Sequence, residues 1–167
     1  MKFLYINMAE EQSSGIVNSR VFSALTRFIS CLHSKQDILS FFEIISGSLF
    51  QWLSHQDIKD ENVKDQLRTL WDEILNCLRR SQPLPTFNSS FLKLKMPFLE
   101  KTLDHRNTSI SDETIIFWNS TYGKQINLEY PQNLLHVLHK LLHKLSRIGR
   151  ISLYKNWITA TQNRSSK

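Results

Sequence analysis

The chain is predicted to be all-α, an α-α superhelix of about three helical hairpins. Three observations carry this. Apolar residues recur at three- and four-residue spacing through six segments. Only four Gly and four Pro interrupt 167 residues. No segment alternates polar and apolar residues as a half-buried strand does. With 41% hydrophobic and 11% aromatic residues, the length suits one domain with a substantial core.

Residues 17–33 form the first predicted helix, with Val17, Val21, Phe22, Leu25, Phe28, Ile29 and Leu32 in register and Ser13-Ser14-Gly15 as a capping lead-in. The second, over 37–53, is apolar around much of its circumference (Ile38, Leu39, Phe41, Phe42, Ile44, Ile45, Leu49, Phe50, Trp52, Leu53) and needs cover on more than one side. His55 to Glu61 is a polar connection. Residues 62–79 are the clearest amphipathic helix: Val63, Leu67, Leu70, Trp71, Ile74, Leu75 and Leu78 share a sector of about 120°. Arg79 and Arg80 suit its C-terminus. Ser81-Gln82-Pro83-Leu84-Pro85 breaks the chain, since two prolines cannot continue a helical ladder.

A fourth helix is expected over 89–103, where Pro97 either kinks one helix or divides two. The fifth runs over 111–122, with Ser111 as N-cap, Asp112 and Glu113 in the first turn, and Gly123 as a left-handed stop. Pro131 opens the last helix, to about Arg147, on a seam of Leu134, Leu138, Leu141, Leu145 and Ile148. The fourth and fifth helices with their connection occupy roughly 40 residues, the length of HEAT- or armadillo-type helix pairs. The expected organisation is a lead-in over 1–16, a helical-repeat domain over 17–148 and a basic, partly disordered tail over 149–167.

Catalytic and cofactor signals are lacking. There is no glycine-rich phosphate loop and no Gly-x-Ser-x-Gly. The adjacent acids Asp60-Glu61 and Asp72-Glu73 point to different helical sides and read as solvated charges. His136, His139 and His143 are the best metal candidates by spacing. Yet they lie beside Lys140, Lys144 and Arg147, with no Cys or carboxylate on that helix, so no metal is assigned. No enzyme activity, cofactor or small-molecule substrate is expected. Cys31 and Cys77 read as small buried hydrophobes in a reducing compartment; a disulfide is the alternative and needs a secretory route. The apolar run at Phe3–Ile6 is too short for a signal peptide, and no run reaches a membrane span. An intracellular chain is therefore expected, and the Asn-x-Ser/Thr matches at Asn88, Asn107, Asn119 and Asn163 read as chance.

The net charge of +6 is uneven: residues 130–167 hold seven Lys/Arg and no acid. Helical spacing places Lys140, Lys144 and Arg147 on one strip, with Arg150 and Lys155 just beyond. Such a strip can neutralise backbone phosphates without reading bases. A membrane surface or an acidic protein would attract it equally, but no membrane partner is expected, since the opposite seam reads as core. Trp52, Trp71 and Trp118 sit on apolar stripes and read as core, leaving Trp157 in a polar setting.

Residues 117–122, Phe117-Trp118-Asn119-Ser120-Thr121-Tyr122, are followed by Leu128-Glu129-Tyr130-Pro131 and a leucine-rich helix. Upstream lie Leu70-Trp71-Asp72, Phe91-Leu92-x-Leu94-x-x-Pro97-Phe98-Leu99 and Asp104-His105-Arg106-Asn107. This order resembles the N-terminal helical-repeat domain of the telomere-associated Rap-interacting factor one family, closest in wording to plant members, over about residues 66–146. The resemblance implies a nuclear scaffold at telomeric chromatin, acting in telomere maintenance, replication timing and choice of break-repair route, with DNA and chromatin proteins as partners. Family members recruit protein phosphatase one through a basic residue followed by Val-x-Phe; Arg20-Val21-Phe22 lacks the spacing. The string at 117–122 is a packing signature: Phe117 and Trp118 would wedge between helix pairs, while Asn119 and Thr121 would tie backbone groups at the turn. Family proteins are far longer, so a fragment, a truncated reading or a short paralogue is expected.

Overall fold

The structure, a computed structural model, describes residues 14–55, 58–125 and 128–146, with side chains placed from 18 to 141 within those stretches. The fold is all-α and of the helical-repeat kind. Among the described residues there are six α-helices: α1 (Ser14–Ser30), α2 (Lys35–Ser54), α3 (Glu61–Arg80), α4 (Ser89–Leu103), α5 (Thr108–Ser120) and α6 (Gln132–Ser146). A 3-10 turn, Tyr122–Lys124, follows α5. Among the described residues, no helix is long and apolar enough to cross a membrane. The chain divides between Pro85 and Thr86 into two compact units.

In the first unit, α1 and α2 both pack on α3. The apolar sector of α3 is buried as its spacing requires: Val63, Leu67, Leu70, Trp71, Ile74, Leu75 and Leu78 are each 3% exposed or less. Asp60 caps α3, its carboxylate accepting from the N–H groups of Asn62 (2.9 Å) and Val63 (3.3 Å). The far end of α3 closes on α1. Arg80 donates to Ser30 O (2.9 Å) and to Glu73 Oε1 (2.8 Å), while the Cys77 thiol donates to Ile29 O (3.3 Å). These donors meet carbonyls that the end of α1 leaves without intrahelical partners. Beyond α3, Gln82 donates to His33 O (2.9 Å) and accepts from Lys35 N–H (3.0 Å), which fixes the proline break to the α1–α2 turn.

Several sequence expectations change here. Cys31 is exposed, because α1 ends at Ser30 and leaves it outside the helix. Glu73 is an ion-pair partner of Arg80 rather than a solvated charge. The second helix is only partly covered: Ile38, Phe42, Ile45, Leu49, Trp52 and Leu53 are buried, but Ile44 is 66% exposed. Ser13 lies outside the described residues, while Ser14 and Gly15 already belong to α1.

The two cysteines should behave oppositely. Burial, with Glu73 alongside, pushes the Cys77 thiol up to about 12 against the opposing effect of Arg80. Native Cys77 therefore stays protonated, and the stabilisation it adds is complete below the ordinary thiol pKa of 9.0 and is lost as pH rises from there towards about 12. The expected result with an alkylating reagent at neutral pH is rapid labelling of Cys31 and none of Cys77 until the chain is unfolded. Mass mapping of the labelled peptides checks this; equal labelling would contradict the buried placement.

In the second unit, α4 packs on both α5 and α6. Pro97 lies inside α4, which continues through it as one helix. The fifth helix starts three residues earlier than its charge pattern suggests. Asn107, not Ser111, is the N-cap and accepts from Ser109 N–H (3.0 Å). Ser111 is buried within α5 and donates its hydroxyl to Leu103 O (2.5 Å), supplying a partner for an end carbonyl of α4. Asp112 and Glu113 consequently stand beyond the first turn. Pro131 immediately precedes α6, and its carbonyl accepts from Leu135 N–H (3.1 Å). On α6, Leu134, Leu138 and Leu141 are buried, as the seam predicts.

Gly123 does not take the left-handed conformation. It is needed for close approach instead: a Cβ there would lie 3.2 Å from Trp118 O and 3.5 Å from Trp118 Cδ1. The helix stops because Thr121 leaves helical geometry (φ −122°, ψ −90°) and the chain tightens into the 3-10 turn.

Candidate functional site

The packing string at 117–122 builds an aromatic cluster within the second unit. Phe117, Trp118 and Tyr122 are 3%, 1% and 0% exposed. Tyr122 stands edge-on to Phe87 (5.3 Å between ring centroids) and lies 5.3 Å from Trp118. Phe87 also meets Phe117 and Phe91, and Trp118 reaches Tyr130 at 6.2 Å. Rings at these separations and tilts attract beyond their buried area. The cluster therefore joins the approach to α4, the end of α5 and the lead-in to α6. Burial raises the Tyr122 and Tyr130 phenols above the ordinary tyrosine range, so both rings act as neutral packing groups. The Tyr122 hydroxyl has no hydrogen-bond partner among the described residues.

The turn after α5 is tied by Thr121, whose hydroxyl donates to Phe117 O (2.7 Å), and by Ser120, which donates to the same carbonyl (2.9 Å). Asn119 is half-buried. The string at 128–131 has parallel duties: Leu128 is buried, Glu129 N–H donates to Ser89 Oγ (2.9 Å), and Tyr130 packs on Trp118. Both strings supply packing and turn-tying contacts within the second unit.

The basic strip begins on α6. Lys140 is exposed, as are His136 and His139, on the side of the helix away from Leu134, Leu138 and Leu141. Lys144 belongs to α6, but its side chain lies outside the described residues, as do Arg147, Arg150, Lys155 and Trp157 altogether. Lys140 is ion-paired with Asp104, the residue that closes α4; the Lys140 side chain remains 70% exposed and that of Asp104 22%. Charge patterning could not find this partner, because the two residues stand 36 apart in sequence. The signal that was legible is the string Asp104-His105-Arg106-Asn107. Its members make one built turn: His105 Nδ1 accepts from Asn107 N–H (3.0 Å), Asn107 caps α5, and Asp104 holds Lys140. Among the described residues, no three His, Cys, Asp or Glu side chains gather in a way that could hold a metal ion. The side chain of His143 lies outside that set.

Telomere-associated protein RIF1 of Gallus gallus is 25% identical over 134 residues, which is 77% of this chain and 6% of that protein. The Mus musculus RIF1 is 30% identical over 84 residues and the Homo sapiens RIF1 33% over 82, each about half of this chain and 3% of the relative.

The chain resembles telomere-associated protein RIF1.

It spans only a few per cent of the length of those RIF1 proteins. No family model matches the chain, and no solved structure does. The similarity to RIF1 agrees with the family to which the residue strings pointed.

Proposed function

We propose that the chain is a non-enzymatic helical-repeat scaffold of a nuclear, telomere-associated chromatin protein, and that it contacts DNA backbone phosphates through the exposed face of α6. The supporting observation is the split character of that helix. Leu134, Leu138 and Leu141 are buried within the second unit while His136, His139 and Lys140 face solvent, and the sequence from 130 onward carries no acid. Lys140, Lys144, Arg147, Arg150 and Lys155 are the assigned phosphate contacts. The similarity to RIF1, a telomere-associated protein by name, supports the chromatin setting. Roles in telomere maintenance, replication timing and break repair follow from that resemblance and are part of this proposal.

Backbone binding of this kind releases counterions, so affinity falls with log-linear slope of about 0.9 per neutralised phosphate. The test is retention of the full chain on duplex DNA across a salt series. The expected result is a steep salt dependence that disappears when Lys140, Lys144 and Arg147 are all changed to Glu. Normal duplex binding by that variant would remove the assignment.

A second reading is a protein-binding scaffold with an incidental basic strip. The exposed apolar side chains of the first unit favour it: Phe28 (56% exposed) lies against Phe41 at 5.1 Å, and Ile44 is 66% exposed on α2. Partner association that persists at high salt, with no duplex retention, would select this reading.

A further inference from the structure

Asp104 is badly placed for a helix. As the residue that closes α4, its carboxylate stands at the negative end of the helix dipole, where a cation is the stabilising choice. What answers that charge is Lys140, reaching across from α6 to Asp104 Oδ2. Asp104 sits in a built turn: its backbone N–H donates to Thr102 O, and Asn107, three residues on, caps the next helix. The ammonium, by contrast, stays largely open to solvent. One partner is fixed and the other is accessible.

We propose that Asp104 is an intramolecular stand-in for a DNA phosphate on Lys140, so that duplex DNA binds this face by exchanging a chain carboxylate for a backbone phosphate. The inference rests on the DNA-binding reading above. Carboxylate and phosphate oxygens are equivalent anionic acceptors for an ammonium, and an ion pair this exposed is weak enough to be exchanged. While it is in place, Asp104 both occupies a cation and presents a negative charge to the incoming phosphate. The α4–α5 turn is thereby part of the interface and tunes its strength.

The probe is a short duplex of arbitrary sequence, titrated with the full chain over a salt series. Changing Asp104→Asn keeps a hydrogen-bonding side chain at the turn and removes the charge. The expected result is tighter binding at low salt, roughly several-fold, and a salt slope steeper by up to about 0.9, because Lys140 meets a phosphate in both chains but in the variant no freed carboxylate takes up a cation to offset the counterion released there. On a Lys140→Met background the steepening should vanish. A role confined to holding α6 against the turn predicts the opposite, lower stability with no steeper slope. Wild-type and Asp104→Asn chains that bind with the same affinity and slope would overturn this inference and leave the DNA-binding reading standing. No duplex binding by either chain at any salt would overturn both. Should Asp104→Asn lose helical circular dichroism, Asp104→Ser makes the same charge change and is read the same way.

Discussion

Replacing Trp118 with alanine is expected to destabilise the second unit by about 3–5 kcal/mol, the range for deleting a large buried aromatic side chain. The indole is 1% exposed and packs on Tyr122 and Tyr130. Gly123 is drawn against it so closely that a Cβ would touch both its carbonyl and its ring. Neighbours held that firmly cannot collapse into the vacated space, so the loss includes a cavity contribution as well as lost transfer energy. The measurement is urea unfolding by circular dichroism, with amide exchange in α4 and α5 assigning the affected unit. The matched control is Ile116→Ala on the same helix. Ile116 is 50% exposed, and its truncation should fall within about 0.5 kcal/mol of wild type. Similar losses for the two variants would show that the cluster is not the core of this unit.

Trp71→Ala should have an effect of the same size, about 3–5 kcal/mol, in the first unit. Trp71 is 2% exposed and sits mid-sector on α3, the helix on which α1 and α2 both pack. The contrast is Ile44→Ala on α2. Ile44 is as apolar as any residue of that helix yet 66% exposed, so its truncation should change stability by no more than about 0.5 kcal/mol. A substantial loss at Ile44, seen in the same urea series, would mean that this face of α2 is covered.

The elements were legible because their determinants are local. The sector 63, 67, 70, 71, 74, 75, 78 is set by the 3.6-residue turn, and every member of it is buried. Proline placement is likewise read from covalent geometry: Pro83 and Pro85 lie between α3 and α4. Where two local rules competed, sequence reading chose wrongly. Ser111 and Asn107 both carry capping side chains. The charges at Asp112 and Glu113 pointed to Ser111, yet its hydroxyl is taken by Leu103 O, a contact that exists only once α4 and α5 have met. Gly123 was expected to supply a left-handed backbone; the structure uses its missing side chain instead.

The candidate interface divides the same way. Lysine and histidine spacing placed a basic strip on one side of α6, and the described part of that strip is exposed as expected. Nothing local could show that Lys140 has a carboxylate partner at the end of α4.

What the sequence by itself determined about this protein is its all-α character, the apolar faces, the one-sided charge of its last residues and its resemblance to RIF1. Periodicity, helix-breaking residues and composition act over one to four turns and need no partner. The tertiary structure alone decided that α1 packs on α3 and that Asp104 holds Lys140. Those outcomes depend on which surfaces meet across tens of residues of chain, and spacing along one helix carries no information about that.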